Sequence, residues 1–343
     1  MKKQRVEWID ILKLSGIAAV FCGHLGKETG GLYDFVFLYH VPLFFFASGI
    51  FAGNLEDLSI WQAVRKRFRQ IMFPYLFFVL ISMIVIILTT DENIYVYIGY
   101  GKQFVFGIRN QMYASSLWFF SCLFTMSILF DLLRRIFRKD IFLLVISVVI
   151  YLITIFLLPN KPDVIPSWIF NIDSALYYLI YYTAGFLLRE KLQEERGDLS
   201  VQGKVVRLAG TVLLAGYTLL VYMKKDVLAD ALYRTIPGVE LVYPVIRGLL
   251  LILFQVVLAK LFAGIGNLHA VGKETMWLCG NEFIVKKIFT AAAGIVGVRI
   301  EIGSALAAVL YTCVMIGFIY KVLIRLEKKV YRRLFEYAGL KPV

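Results

Sequence analysis

Three histidines occur in the chain, and two of them bracket a short polar turn between apolar runs. His24 closes the first apolar run and His40 opens the second, in Tyr-His-Val-Pro-Leu-Phe-Phe-Phe-Ala-Ser-Gly. An imidazole titrates near neutral pH and is the commonest general base. Lys13 lies eleven residues before His24. On a helix those two share one face to within roughly 20° and stand about 16 Å apart. Asp10, three residues before Lys13, falls on the same side. Ionisable groups at membrane depth are costly and face a bundle interior, a cavity or a pathway. The competing reading is a snorkelling Lys paired with Asp near the interface, beside a lone buried His. Two histidines alone lack a third ligand at metal spacing, so no metal site is expected. His40 reads equally as a structural residue that orients the hairpin and as one that positions substrate.

Further candidates lie along the chain. Arg65, Arg67 and Arg69 form a basic run, read as a loop, before Pro74-Tyr75. Clustered Arg suits phosphate, while the ordinary role of such a run is to anchor topology. Trp118 follows Ser115-Ser116-Leu117, where an aromatic belt at the interface is the ordinary explanation. Asn171 and Asp173 stand at the start of an apolar run, and a carboxylate there calls for a partner. There is no phosphate-binding Gly-rich loop and no nucleophile elbow.

The elements that must position these residues are membrane helices. The 343 residues are 60% hydrophobic, with a mean hydropathy of +0.75, well above a soluble domain. Windows of about 20 apolar residues predict spans near 8–26, 34–53, 71–90, 113–133, 141–158, 168–188, 206–223, 243–262, 274–296 and 302–324. The expected fold is all-α, a polytopic bundle of about ten transmembrane helices. It forms a single domain over 1–343, with a cytoplasmic tail at 325–343. The N-terminus superficially resembles a signal peptide. Asp10 and Lys13 interrupt its apolar region, so it is read as a retained first span.

The net charge of +13 does not point to nucleic acid, because its Lys and Arg sit in alternate short loops. Such loops hold Lys2, Lys3 and Arg5; Arg65 to Arg69; Arg134, Arg135, Arg138 and Lys139; Arg189, Lys191, Arg196, Lys204 and Arg207. The tail continues the series with Lys321, Arg325, Lys328, Lys329, Arg332 and Arg333. That alternation predicts both termini in the cytoplasm. Lys224, Lys225 and Arg234 break it in the loop at 224–242. Cys22, Cys122, Cys279 and Cys313 fall in apolar runs without a Cys-x-x-Cys pair and read as free core thiols.

Taken together, Arg5, Asp10, Lys13 and His24, then His40-Val-Pro-Leu-Phe-Phe-Phe-Ala-Ser-Gly49, Arg65-x-x-x-Arg69, Pro74-Tyr75 and Leu117-Trp118-Phe119-Phe120 resemble the membrane acyltransferase-3 family. The fucose O-acetylase-like branch looks nearest. The resemblance implies about ten spans in the plasma membrane. It also implies transfer of an acyl group, commonly acetyl, from cytoplasmic acetyl-CoA to a sugar hydroxyl of a surface glycan or its lipid-linked precursor. Acetyl-CoA would be the donor substrate, with no metal; the partners would be the glycan and membrane lipids.

The family's basic residue followed by ten residues and a His falls on Lys13 and His24, where many members carry Arg at the first position. Many relatives also carry a late His after a Gly-Lys-x-Ser/Thr turn. Here Gly272-Lys273-Glu274-Thr275 is followed by Asn281-Glu282 and no His. The resemblance makes His24 and Lys13 catalytic, and His40, the second imidazole of the turn, is counted with them. Asp10, Arg65, Arg67, Arg69, Tyr75, Trp118, Asn171 and Asp173 become binding residues. A transporter or glycan flippase with a polar core is the rival reading of the same charges.

Overall fold

A computed structural model describes residues 6–53, 58–158, 161–194 and 201–337. Lys2, Lys3, Arg5 and Arg196, and the end of the tail from 338, lie outside those residues. The chain is all-α, with no strand among the described residues. In order the helices are α1 (Glu7–Gly23), α2 (Gly31–Phe37), α3 (His40–Ile50), α4 (Ile60–Arg67), α5 (Phe73–Thr89) and α6 (Ile94–Phe106). Next come α7 (Trp118–Ile136), α8 (Asp140–Phe156), α9 (Ile172–Gln193), α10 (Val201–Tyr222), α11 (Val227–Thr235) and α12 (Tyr243–Leu261). The series ends with α13 (Leu268–Gly272), α14 (Thr275–Gly280), α15 (Glu282–Ile295), α16 (Ala305–Phe318) and α17 (Ile324–Tyr337).

Six helical stretches among the described residues are long and apolar enough to cross a membrane. They are Gly31–Ile50, Ile60–Thr89, Ser115–Ile136, Gln202–Tyr222, Tyr243–Leu261 and Ala305–Leu334. Their outer faces are apolar. On α5, Leu76, Leu80, Ile84 and Ile87 are exposed at helical spacing. On α10 so are Val205, Leu208, Val212 and Leu219. Faces of this kind fit lipid, whose hydrocarbon demands that backbone groups be paired within the helix.

Several boundaries differ from the sequence expectation, each for a local reason. The run Arg65 to Arg69, expected as a loop, is helical. Ser59 caps α4 by accepting from the Gln62 amide at 3.2 Å, and Gln62 Oε1 accepts from the Ser59 amide at 2.9 Å. This reciprocal cap starts the helix well before the apolar run. A π-helical turn at Phe68–Met72 then carries the chain into α5. The expected span at 274–296 breaks into α14 and α15 at Asn281. There the buried Asn281 donates to Glu327 Oε2 at 2.6 Å, and Glu282 pairs with Lys286. The expected loops at 91–112 and 224–242 contain α6 and α11. Three of the four cysteines are buried free thiols as expected, whereas Cys313 is exposed on α16, a helix with an outward apolar face.

The chain divides into two compact units. The first comprises 1–51, 184–275 and 302–313. Its centre is α1, which packs against α2, α3, α12 and α13. Trp8, Ile9, Leu12, Ile17, Val20 and Phe21 of α1 are buried. A helix apolar nearly all round must be enclosed by others, and α1 is. Glycines set the closeness of these contacts, as small residues do between membrane helices. A Cβ on Gly272 would collide with the Asp10 backbone, and one on Gly185 with the Phe46 backbone.

The second unit comprises 52–183, 276–301 and 314–343. Here α5 packs on α6 and α15, and α4 and its π turn pack on α7. Phe78 and Phe130 are fully buried, Phe130 beside Tyr182 with ring centroids 4.9 Å apart.

Overpacking a filled interior costs about 1–3 kcal/mol. Gly185→Ala is therefore expected to destabilise the protein by about that amount. Gly210→Ala on α10, where an added Cβ meets open space, serves as the control and should not lower the melting temperature, since Ala is the better helix former. Thermal unfolding of both variants in the same detergent checks this.

Candidate active site

In the first unit α1 turns Asp10 inward, while Glu7 in its first turn is exposed. Asp10 is buried, and its Oδ1 lies 2.7 Å from Lys13 Nζ. The Asp10 side chain is 1% exposed and that of Lys13 20% exposed, so the pair is half enclosed and half reachable. The ammonium also lies 5.5 Å from the centre of the Phe51 ring. Asp10 sits in the first turn of α1, where the helix dipole favours a carboxylate. Nearby, Lys260 of α12 holds the Leu192 carbonyl at 2.6 Å and lies over the Trp8 ring.

His24 ends α1. Its amide donates to the Val20 carbonyl at 3.0 Å, and its side chain is half-buried. Gly23, just before it, sits against Val36 and Phe37 of α2. His40 opens α3 against the same two residues. Its Nδ1 lies 2.7 Å from the Val36 carbonyl, and its ring meets Phe37 edge-on at 4.8 Å. The carbonyl can only accept, so Nδ1 carries a proton. In the neutral ring that leaves Nε2 as the basic nitrogen. α2 thus gathers both histidine-bearing helix ends around Val36 and Phe37. Cys22, two residues before His24, lies 3.4 Å from Thr312 Oγ1, which ties the segment 302–313 to the end of α1.

The remaining candidates belong to the second unit. Arg67 meets Asp131 through two parallel bonds of 3.0 Å, Nε to Oδ2 and Nη2 to Oδ1. Both side chains are largely shielded, so this guanidinium has a fixed partner. Arg65 is exposed, and Arg69 is half-buried in the π turn. π turns inside α-helices recur at functional sites. Tyr75 is buried, and its hydroxyl donates to the Phe104 carbonyl.

Trp118 is buried rather than placed in an exposed belt, with the Arg109 guanidinium 4.9 Å over its ring. Asn171 is buried with a φ of 53°, a left-handed conformation that Asn tolerates better than most residues. Its Oδ1 accepts from the Arg109 amide at 2.7 Å, and its Nδ2 donates to the Gly107 carbonyl and to Ser121 Oγ at 3.1 Å. Gly107 closes α6 at φ 64°, where a Cβ would come 3.0 Å from Ser121 Oγ. Asp173 accepts from the amides of Ser167, Trp168 and Ser174 at 2.6, 3.1 and 2.8 Å. The partner that the Asp173 carboxylate called for is therefore the backbone at the start of α9.

Arg109 went unnoticed in the sequence because it stands alone outside the basic runs. In the structure it binds the Pro162 and Asp163 carbonyls and the Tyr178 hydroxyl, and closes this region. Among the described residues no group of three or more His, Cys, Asp or Glu is arranged to hold a metal ion.

A buried polar group stripped of its partner costs about 1–3 kcal/mol. Asn171→Ala leaves the Arg109 amide without its acceptor, and is expected to lower stability by at least that amount. The measurement is the unfolding temperature of the variant beside that of Asn110→Ala, also at positive φ but exposed. The Asn110 variant should lose less.

The family model for the acyltransferase domain of the acyltransferase-3 family matches residues 6–320. That match takes in α1 with its Asp10, Lys13 and His24, the His40 segment, the Arg65–Arg69 helix and the Trp118 and Asn171 region. No curated protein and no solved structure matches the chain significantly. The chain belongs to the acyltransferase-3 family and is a membrane acyltransferase.

Proposed function

We propose that the protein is an O-acyltransferase that moves an acyl group, acetyl in the first instance, from acyl-CoA to a sugar hydroxyl. The acceptor belongs to a surface polysaccharide or its lipid-linked precursor, and the enzyme sits in the plasma membrane as one acyltransferase domain. The observation that carries this reading is the inward-facing Asp10–Lys13 pair on the helix that ends in His24, inside a chain matched by the family model over 6–320. The same match supports acyl transfer over transport as the use of these charges.

In this reading His24 takes the proton from the acceptor hydroxyl as its oxygen attacks the thioester carbonyl. The C–S bond breaks, and the thiolate of coenzyme A leaves with the proton. General base catalysis of this kind contributes about 10²–10⁴-fold. Lys13, held by Asp10 about 16 Å along α1 from His24, is too far to reach the carbonyl that His24 serves and instead holds the donor. His40, with Nδ1 committed to Val36, orients the hairpin and the acceptor. Arg65 and Arg69 bind the phosphates of coenzyme A at the cytoplasmic mouth, where charge-assisted bonds are strong. Arg67, tied to Asp131, helps fix the helix that presents them. Tyr75, Asn171 and Asp173 fix the backbone of the second unit, and Trp118 packs under Arg109, so these residues serve binding indirectly.

His24→Ala is expected to lower transfer from acetyl-CoA by at least about 100-fold in protein with an unchanged melting temperature. Turnover near the parent's would remove His24 from the mechanism. Lys13→Arg should keep substantial activity, while Lys13→Met should lose it. Removing Lys13 takes the ammonium away from the buried Asp10 carboxylate, and breaking a buried pair is strongly destabilising. Asp10→Asn with Lys13→Met is therefore measured alongside; if that pair folds normally and still lacks activity, the loss belongs to donor binding.

Changing Arg65 and Arg69 together to Gln should raise the KM for acetyl-CoA by about tenfold or more, the loss of roughly 1.4 kcal/mol of charge-assisted binding. The acceptor KM should move less. Added salt should weaken donor binding in the parent more than in the double variant, because screening acts on the charges removed.

A further inference from the structure

A cleft of about 290 Å³ in the first unit lies between α2, the end of α10 and the start of α12. Asp34, Phe35, Tyr222, Lys224, Asp226 and Arg247 supply its chemistry. Its volume is close to the lower end of small-molecule sites, room for about one ring-sized ligand. The charges cancel in pairs. Lys224 Nζ lies 2.7 Å from Asp34 Oδ2, and Arg247 Nη1 lies 3.6 Å from Asp226 Oδ2. A cleft neutralised from within has no net field for an anion or a cation, but it keeps a dense set of donors and acceptors.

The Asp226–Arg247 pair is the looser of the two. Asp226 Oδ1 is occupied: it accepts from the Ala229 amide at 3.2 Å as the cap of α11, and from the Tyr243 hydroxyl. Tyr243 is in turn 2.9 Å from the Tyr217 hydroxyl. Asp226 Oδ2 faces Arg247 Nη1 in an ion pair longer than a hydrogen bond, and Arg247 Nε makes no hydrogen bond among the described residues. Donors and acceptors matched in pairs along the cleft, among them the exposed Lys224–Asp34 pair, suit a ligand group that is donor and acceptor at once. A hydroxyl is such a group; a phosphate or an ammonium is not. Phe35 and Tyr222 meet edge-on at 5.4 Å in the same wall and offer an apolar surface to the C–H face of a ring.

The position of the cleft matters as much as its chemistry. Asp34, Phe35 and Leu38, on or just beyond α2, face the cleft, while Val36 and Phe37 hold Gly23 and His40. One short helix therefore separates the cleft from both histidine-bearing helix ends.

We propose that this cleft binds a neutral polyhydroxylated ring, a sugar residue, and is a subsite for the acceptor; the acceptor role rests on the acyl-transfer reading given above. The test uses the full chain in nanodiscs. Its probes are the methyl glycosides of glucose, galactose and N-acetylglucosamine, read by saturation-transfer NMR and competition. At least one glycoside should bind the parent. Gly31→Phe should abolish that binding, because Gly31 lines the cleft and an added Cβ there meets open space. Asp34→Asn with Lys224→Gln, at an exposed pair, should weaken it about tenfold, which corresponds to roughly 1.4 kcal/mol.

No binding of any glycoside to the parent would overturn the proposal. So would binding that survives both variants with unchanged melting temperatures. Displacement of every glycoside by glycerophosphoethanolamine at lower concentration would make the cleft a lipid-headgroup site and likewise overturn it. Acetyl-CoA binding by the parent is measured separately. Glycoside binding without acetyl-CoA binding sinks the acyl-transfer reading and leaves the sugar site standing; acetyl-CoA binding without glycoside binding does the reverse.

Discussion

A carboxylate and an ammonium enclosed on one central helix constrain the whole first unit. Asp10 is almost wholly shielded from solvent, where a carboxylate is stable only with a close partner, and Lys13 Nζ lies 2.7 Å away. Keeping the pair in place requires α1 to be covered on nearly every side, and α2, α3, α12 and α13 supply that cover. The cover in turn requires backbones to approach closely, which is why Gly272 meets Asp10 with no room for a Cβ. The same enclosure leads α1 to end where α2 can pin Gly23 and His40 together. Geometry around the candidate base thus follows from the requirement to bury one ion pair.

The second unit meets a different demand. Its irregular segments pair their backbone groups with buried side chains. Asn171 and Asp173 do this work for the turn that opens α9, and Arg109 and Ser121 close it from the other side. Side chains that resemble ligand-binding groups in the sequence are here turned toward amides and carbonyls. The basic helix α4 is fixed in a similar way, through the Arg67–Asp131 pair, so that its exposed Arg65 is presented by a rigid element rather than by a loop.

Local pattern determined much of this protein. Its length of apolar runs made it an all-α membrane chain, and the spacing of Lys13 and His24 placed both on one face of the first helix. The Lys224–Lys225 pair, which broke the alternation of loop charges, was the one sequence signal of the cleft that Asp34, Asp226 and Arg247 complete. These properties are legible because a helical repeat and an apolar run are functions of sequence neighbours alone. Tertiary structure decided what depends on distant partners. It made Asp10 a buried partner of Lys13 in a helix covered all round, and gave His40 its proton on Nδ1. It tied Arg67 to Asp131 across 64 positions, assigned Asp173 to backbone amides, and set Asp226 against Arg247 in a cleft. Hydrogen bonds and ion pairs select partners by position in space, and residues far apart in the chain acquire that position only once the helices have packed.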